Sequence, residues 1–316
     1  MGLFTSLFGG SKPDECQEDK QKKKNFEILK YDGIRARNIH QLPYAIKCFE
    51  EAIALQEDTE TMSLLAATYT QAGEIEKACH ILNRLCEKEP ENTAALLSLA
   101  HVYDMLQDYH HMESVCQKIL QTDADNSTAY YMAGKAAHAL HNDLQAIAML
   151  TKATMQNETF TEAYLLRAEV LWSMKQAKDA LEDIEKVLTL DANEEKAILM
   201  KGEIEAALGH IEQAFGCFNR VTELNPFNEN AYLLKGALLM EQKEFDSAIE
   251  NYEEAMELMP DNARLYQERG RARLLKGDKD GSMEDLKKAI ELNPDSENQI
   301  NGNFKNFEDT GKGILW

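Results

Sequence analysis

Residues 229–262 read ENAYLLKGALLMEQKEFDSAIENYEEAMELMPDN, and the spacing within this stretch decides the fold. Tyr232, Gly236 and Leu239 recur at i, i+4 and i+7, and Ala248, Tyr252 and Ala255 repeat that spacing. Each half therefore carries one apolar helical stripe, which predicts a helix hairpin. Pro260 ends the second helix, and Asp261 and Asn262 suit the N-cap of the next. Gly236 and Ala248 face the partner helix, where a minimal side chain lets two backbones approach.

The unit returns at steps of 34 residues. Downstream it has Tyr266, Gly270, Ser282, Leu286, Ala289 and Pro294; upstream it has Ile198, Gly202, Ala214, Phe218, Val221 and Pro226. Further copies carry Tyr164, Ala168, Ala180 and Val187; Tyr130, Gly134, Ala146 and Ala153; Leu96, Ala100, Tyr103 and Ile119; and Met62, Ala66, Tyr69, Ala78 and Pro90. One more, a residue shorter, opens at Phe26 with Leu29, Gly33, Ala45, Phe49 and Ala52. Repeat length and small/aromatic/proline pattern resemble those of tetratricopeptide repeat proteins. Tyr, Leu, Met or Ile stands where the family has Trp, and Ala192, Glu158 and Ala124 replace the closing proline in three copies.

The resemblance implies an all-α fold, a right-handed α-solenoid of about eight antiparallel helix-hairpin repeats: 26–58, 59–92, 93–126, 127–160, 161–194, 195–228, 229–262 and 263–296. Such an array buries each stripe against neighbouring hairpins rather than in one globular core, and is expected to be a single domain. Gly73, Gly209 and Gly277 fall at the same place after a first helix, where a left-handed C-cap needs no side chain, and His141 takes that place in another copy. Pro43 sits just inside a second helix.

The 55 acidic and 34 basic residues give a formal charge of -21. That field repels phosphates, argues against nucleic acid, and favours neutral or cationic partners. No apolar run is long enough to span a bilayer, and the start of the chain lacks the features of a signal peptide, so the expected location is cytoplasmic. Cys48, Cys79, Cys86, Cys116 and Cys217 all fall in second helices without a CxxC pair, reading as buried reduced thiols rather than a zinc site or disulfide framework.

Both ends depart from the repeat. Residues 1–25 form an amphipathic and linker tail in which Leu3, Phe4, Leu7 and Phe8 share one side and Lys22, Lys23 and Lys24 follow. They read as a weak contact with the inner membrane face or as a tail packed on the first repeat; Gly2 and Ser6 also match the myristoylation pattern. Residues 297–316 carry Phe304, Phe307, Ile314, Leu315 and Trp316, too apolar for an idle tail. They read as an irregular cap or as a segment that enters a groove of this copy or another.

The motifs of catalysis do not assemble, so no enzyme activity and no cofactor are expected. Asp278 and Asp280 begin a calcium-loop pattern, but Met283 and Ala289 stand where the turn glycine and bidentate glutamate belong. The histidine pairs His138 with His141 and His110 with His111 lack a ligand set at metal spacing, so no metal is expected either.

Recognition is the better candidate. The first helices carry a second stripe, rotated about one residue from the packed one, which in the family lines the concave groove. The columns are Ser63, Leu97, Tyr131, Leu165, Leu199, Leu233 and Gln267; Ala67, His101, Lys135, Glu169, Glu203, Ala237 and Arg271; and Thr70, Asp104, His138, Trp172, Ala206, Met240 and Leu274. The expected peptide-binding residues are Leu97, His101, Tyr131, Lys135, His138, Leu165, Glu169, Trp172, Leu199 and Glu203. Family members that grip the C-terminal carboxylate of heat-shock chaperones use a Lys and Asn set; here Lys30 begins one, but Ile34 and Leu64 occupy the Asn places. The leading expectation is an adaptor or scaffold that binds an apolar peptide segment of a protein partner. The alternative is self-association, with the C-terminal tail docked on its own or another copy.

Overall fold

The structure, a computed structural model, describes residues 14–294. The described residues form sixteen helices and no strand. They divide into two compact units on either side of the boundary between residues 160 and 161. The division falls at a repeat boundary, as it can in a fold whose repeats contact only their neighbours.

The first unit runs α1 (Asp14–Asn38), α2 (Leu42–Leu55), α3 (Thr59–Gln71), α4 (Ile75–Lys88), α5 (Thr93–Met105), α6 (Tyr109–Thr122), α7 (Ser127–Ala139) and α8 (Asp143–Gln156). Each helix packs on its successor, and α5 also touches α7. One core extends from Ala36 to Ala136, with Phe49, Met62, Leu85, Met112 and Ile119 sealed from solvent. Helix α1 begins well before the Phe26 start of the first repeat, so Lys22, Lys23 and Lys24 lie on exposed helical turns, not in a linker. Lys, Glu and Gln are strong helix formers, and packing begins only at buried Phe26. The apolar residues Leu3, Phe4, Leu7 and Phe8 lie outside the described residues.

The second unit runs α9 (Thr161–Ser173), α10 (Ala177–Leu190), α11 (Glu195–Ala207), α12 (Ile211–Leu224), α13 (Glu229–Glu241), α14 (Phe245–Leu258), α15 (Ala263–Lys276) and α16 (Lys279–Leu292). Here too successive helices pack, and α13 touches both α11 and α15. The tail 297–316 lies outside the described residues.

Within each hairpin a small residue on the first helix faces a larger one sixteen positions on. Phe49, Phe218 and Tyr252 stand opposite Gly33, Gly202 and Gly236, whereas Leu82, Cys116 and Ile184 stand opposite Ala66, Ala100 and Ala168. A Cβ on Gly202 or Gly33 would come within 2.6 Å of the facing ring, so an aromatic there requires glycine opposite. Burying each such ring contributes roughly 1.5–3 kcal/mol.

Turns obey local rules. Asn92, Asn126, Asn228 and Asn262 cap α5, α7, α13 and α15 by accepting from backbone N–H groups, satisfying donors that helix starts leave open. After every first helix from α1 to α15 one residue takes a positive φ: His40, Gly73, Gln107, His141, Lys175, Gly209, Lys243 and Gly277. Glycine meets that demand three times; elsewhere the turn holds a side chain in a conformation that costs about 1 kcal/mol or more.

Candidate functional site

In the first unit, Leu97 and Tyr131 are each half-buried against the core, and His101 is exposed. Tyr131 stacks at a tilt on Phe160, ring centroids 5.0 Å apart. Lys135 reaches across from α7 to α5, its Nζ 2.6 Å from Oδ2 of Asp104. That carboxylate holds the ammonium charged, raising its pKa against the opposing effect of burial. Nδ1 of His138 lies 2.7 Å from Oδ1 of Asp143, at the entry to α8. This face is thus aromatic in its middle and carries charges that are already paired.

In the second unit the expected surface splits. Leu165 is only 8% exposed, so it packs largely in the interior. Leu233 and Met240, lower in the same columns, are buried with Leu265 and Ala272 of α15. In this unit α13 touches both α11 and α15, and a stripe rotated by one residue is near enough to that contact for a long apolar side chain to be closed over. Trp172 stays half-buried, with Lys175 Nζ 5.4 Å from its ring centroid. Glu169 forms an ion pair with Lys196.

Leu199 and Glu203 line a cleft of about 500 Å³ with Lys196, Met200, Asn228 and Asn230, between α11 and the start of α13. Glu194 and Glu195 border it but are committed: Glu194 caps the N–H of Ala197, and Glu195 accepts from the amides of Asn225 and Asn228. Glu203 has no hydrogen-bond or ion-pair partner among the described residues, and burial pushes its carboxyl above the usual range. The columns had omitted Met200, Asn228 and Asn230. Asn230 was detectable from the repeat register, since it stands one repeat after Lys196.

The chaperone-tail set is spent on structure. Lys30 Nζ lies 2.6 Å from Glu60 and 3.2 Å from Asp58, while Ile34 and Leu64 pack against the core. Asp278 accepts from the N–H of Gly281 as the cap of α16. Among the described residues no His, Cys, Asp or Glu group is arranged to hold a metal, and no helix is long and apolar enough to cross a membrane.

Two-helix hairpins at a fixed period, with half-buried side chains on their first helices, define a helical-repeat protein. Family models described as TPR repeat and tetratricopeptide repeat match residues 236–277, and residues 161–194 and 263–296. The chain belongs to the tetratricopeptide repeat family, which makes it in general terms a protein-interaction adaptor.

Among solved structures, a tetratricopeptide repeat protein from Parabacteroides merdae is 19% identical, with 78% of this chain and 97% of that one covered, at a TM-score of 0.61. Pseudomonas aeruginosa pilF is 12% identical over 69% of this chain and 99% of its own, at 0.56. The Cut9–Hcn1 hetero-tetramer of the APC/C is 15% identical over 84% of this chain and 52% of its own, also at 0.56. At such identities the likeness is one of fold. No curated protein matches the chain in sequence.

Proposed function

We propose that this chain is a non-enzymatic adaptor that binds an apolar peptide segment of a protein partner along its first helices. The observation that carries this reading is the cleft beside α11, where half-buried Leu199 and buried Met200 are left beside open volume of about 500 Å³. Apolar side chains facing such a space gain by covering with a partner's apolar anchor. The paired charges of Glu169 with Lys196 would fix the position of a segment more than its affinity.

The test is selection of random displayed peptides on the full chain, followed by titration of the enriched peptides against wild type and Leu199→Ala. Enrichment of peptides with apolar anchors, and weaker binding to the variant, is the expected result. Absence of any enriched peptide would overturn the reading. If removal of residues 297–316 abolishes oligomers while the fold persists, the chain is instead a self-assembling protein.

A further inference from the structure

We infer that the cleft beside α11 is a subsite for one cationic side chain of the partner segment, an arginine or a lysine, held by Glu203. This rests on the peptide-binding reading above and adds the chemistry that would select the peptide.

The argument comes from comparing one repeat with the next. Glu169 and Glu203 occupy the same place in consecutive first helices. Glu169 is neutralised by Lys196, twenty-seven residues further on. The residue at that distance from Glu203 is Asn230, a neutral amide, and it lines the same cleft. The cation supplied by the chain in one repeat is thus missing in the next.

Lys196 borders the same cleft, but its ammonium is already paired. It is held by Glu169, and Lys201 Nζ lies 3.6 Å from Glu185. Glu203 is consequently a partly desolvated carboxylate without a partner among the described residues, an arrangement that costs free energy until something neutralises it.

A cationic side chain entering from solvent matches what is there. Its charged end would form a charge-assisted hydrogen bond to Glu203. Its methylene stem would lie along Leu199 and Met200, as long cationic side chains do on apolar surface. The chain's charge of -21 adds a long-range pull on such a segment. A purely apolar occupant would leave Glu203 sealed and uncompensated, which disfavours it.

The test runs the same peptide selection in parallel on the full wild-type chain and on Glu203→Gln, with circular dichroism melts of both. The expected result is a wild-type pool in which Arg or Lys stands at a fixed distance from an apolar residue, a preference absent from the Glu203→Gln pool. An enriched arginine peptide should bind wild type about tenfold more tightly than the variant. Replacing its arginine by citrulline should erase that difference. A wild-type pool with no fixed cation, or citrulline and arginine peptides that bind wild type equally, overturns the subsite while leaving the adaptor reading intact. No pool on either protein overturns both.

Discussion

Arg167 donates from Nε to Oδ2 of Asp183 at 2.8 Å and from Nη2 to Oδ1 at 2.6 Å, joining α9 to α10 by a two-pronged ion pair. Three repeats on, Arg269 grips Asp285 in the same way, at 3.0 and 2.6 Å. Each guanidinium lies over a tyrosine three residues before it, Tyr164 or Tyr266. In the first unit the same hairpin places hold Leu65 with Ile81, and Leu99 with Val115, all buried. An apolar pair therefore fills the position equally well. Asp183 is buried, so Arg167→Met alone should cost about 3–5 kcal/mol, by stranding a charge. The double variant Arg167→Leu with Asp183→Ile should return to within about 1 kcal/mol of wild type or exceed it. Urea unfolding of the single and double variants measures this, and additive losses would contradict it.

Tyr252 occupies the space that a side chain on Gly236 would need: an added Cβ would overlap the phenol ring, with Cε1 only 2.6 Å away. Tyr252 is fully buried, so its ring has little room to retreat. Gly236→Ala should cost about 1–3 kcal/mol. Combining it with Tyr252→Ile recreates the Ala168 and Ile184 pairing and should cost less than the two single changes together, which thermal melts would reveal. An unchanged melt for Gly236→Ala would mean that the hairpin register is wrong.

These two relationships also mark what could be read beforehand. The period, the small residue opposite a large one, the asparagine caps and the left-handed turns are local rules repeated at fixed spacing, so residues such as Gly236, Asn262 and Gly277 declare them directly. The burial of Leu165 and Leu233 was not legible, because exposure of a second stripe depends on how closely adjacent first helices approach. That distance is set by packing across repeats, not by spacing within one. Glu203 was placed on the stripe, but its solitude was not visible until the partner of Glu169 was known to be Lys196. The division at residue 160 likewise has no local signature in a repeat whose motifs continue unbroken.

Glu203 also makes a prediction about stability. Its carboxyl is raised by burial, so the folded chain holds that proton more tightly than the unfolded chain does. The associated stability is fully present below the unfolded value of about 4.3 and is lost as pH rises through the folded value. Glu203→Gln has no proton to lose there. Without bound peptide it should melt higher than wild type at about pH 8, and the gap should close near about pH 4. A variant that melts lower at the higher pH would mean that Glu203 already has a stabilising partner in solution.

Cys116 and Cys48 should report where the first unit opens. Both are buried, 0% and 3% exposed; burial pushes the Cys116 thiol up to about 12 and also raises Cys48. Only the thiolate reacts with a disulfide reagent, so neither should be labelled quickly in the folded chain, and reaction must await local opening. Among the described residues, Cys48 lies on α2 in a hairpin with a packed hairpin on one side only, whereas Cys116 lies on α6 with hairpins before and after it. Repeat arrays lose structure from their ends. With the other cysteines replaced by serine, Cys48 should therefore react at least about tenfold faster than Cys116 under native conditions. Equal rates would show that the first unit opens as a whole rather than hairpin by hairpin.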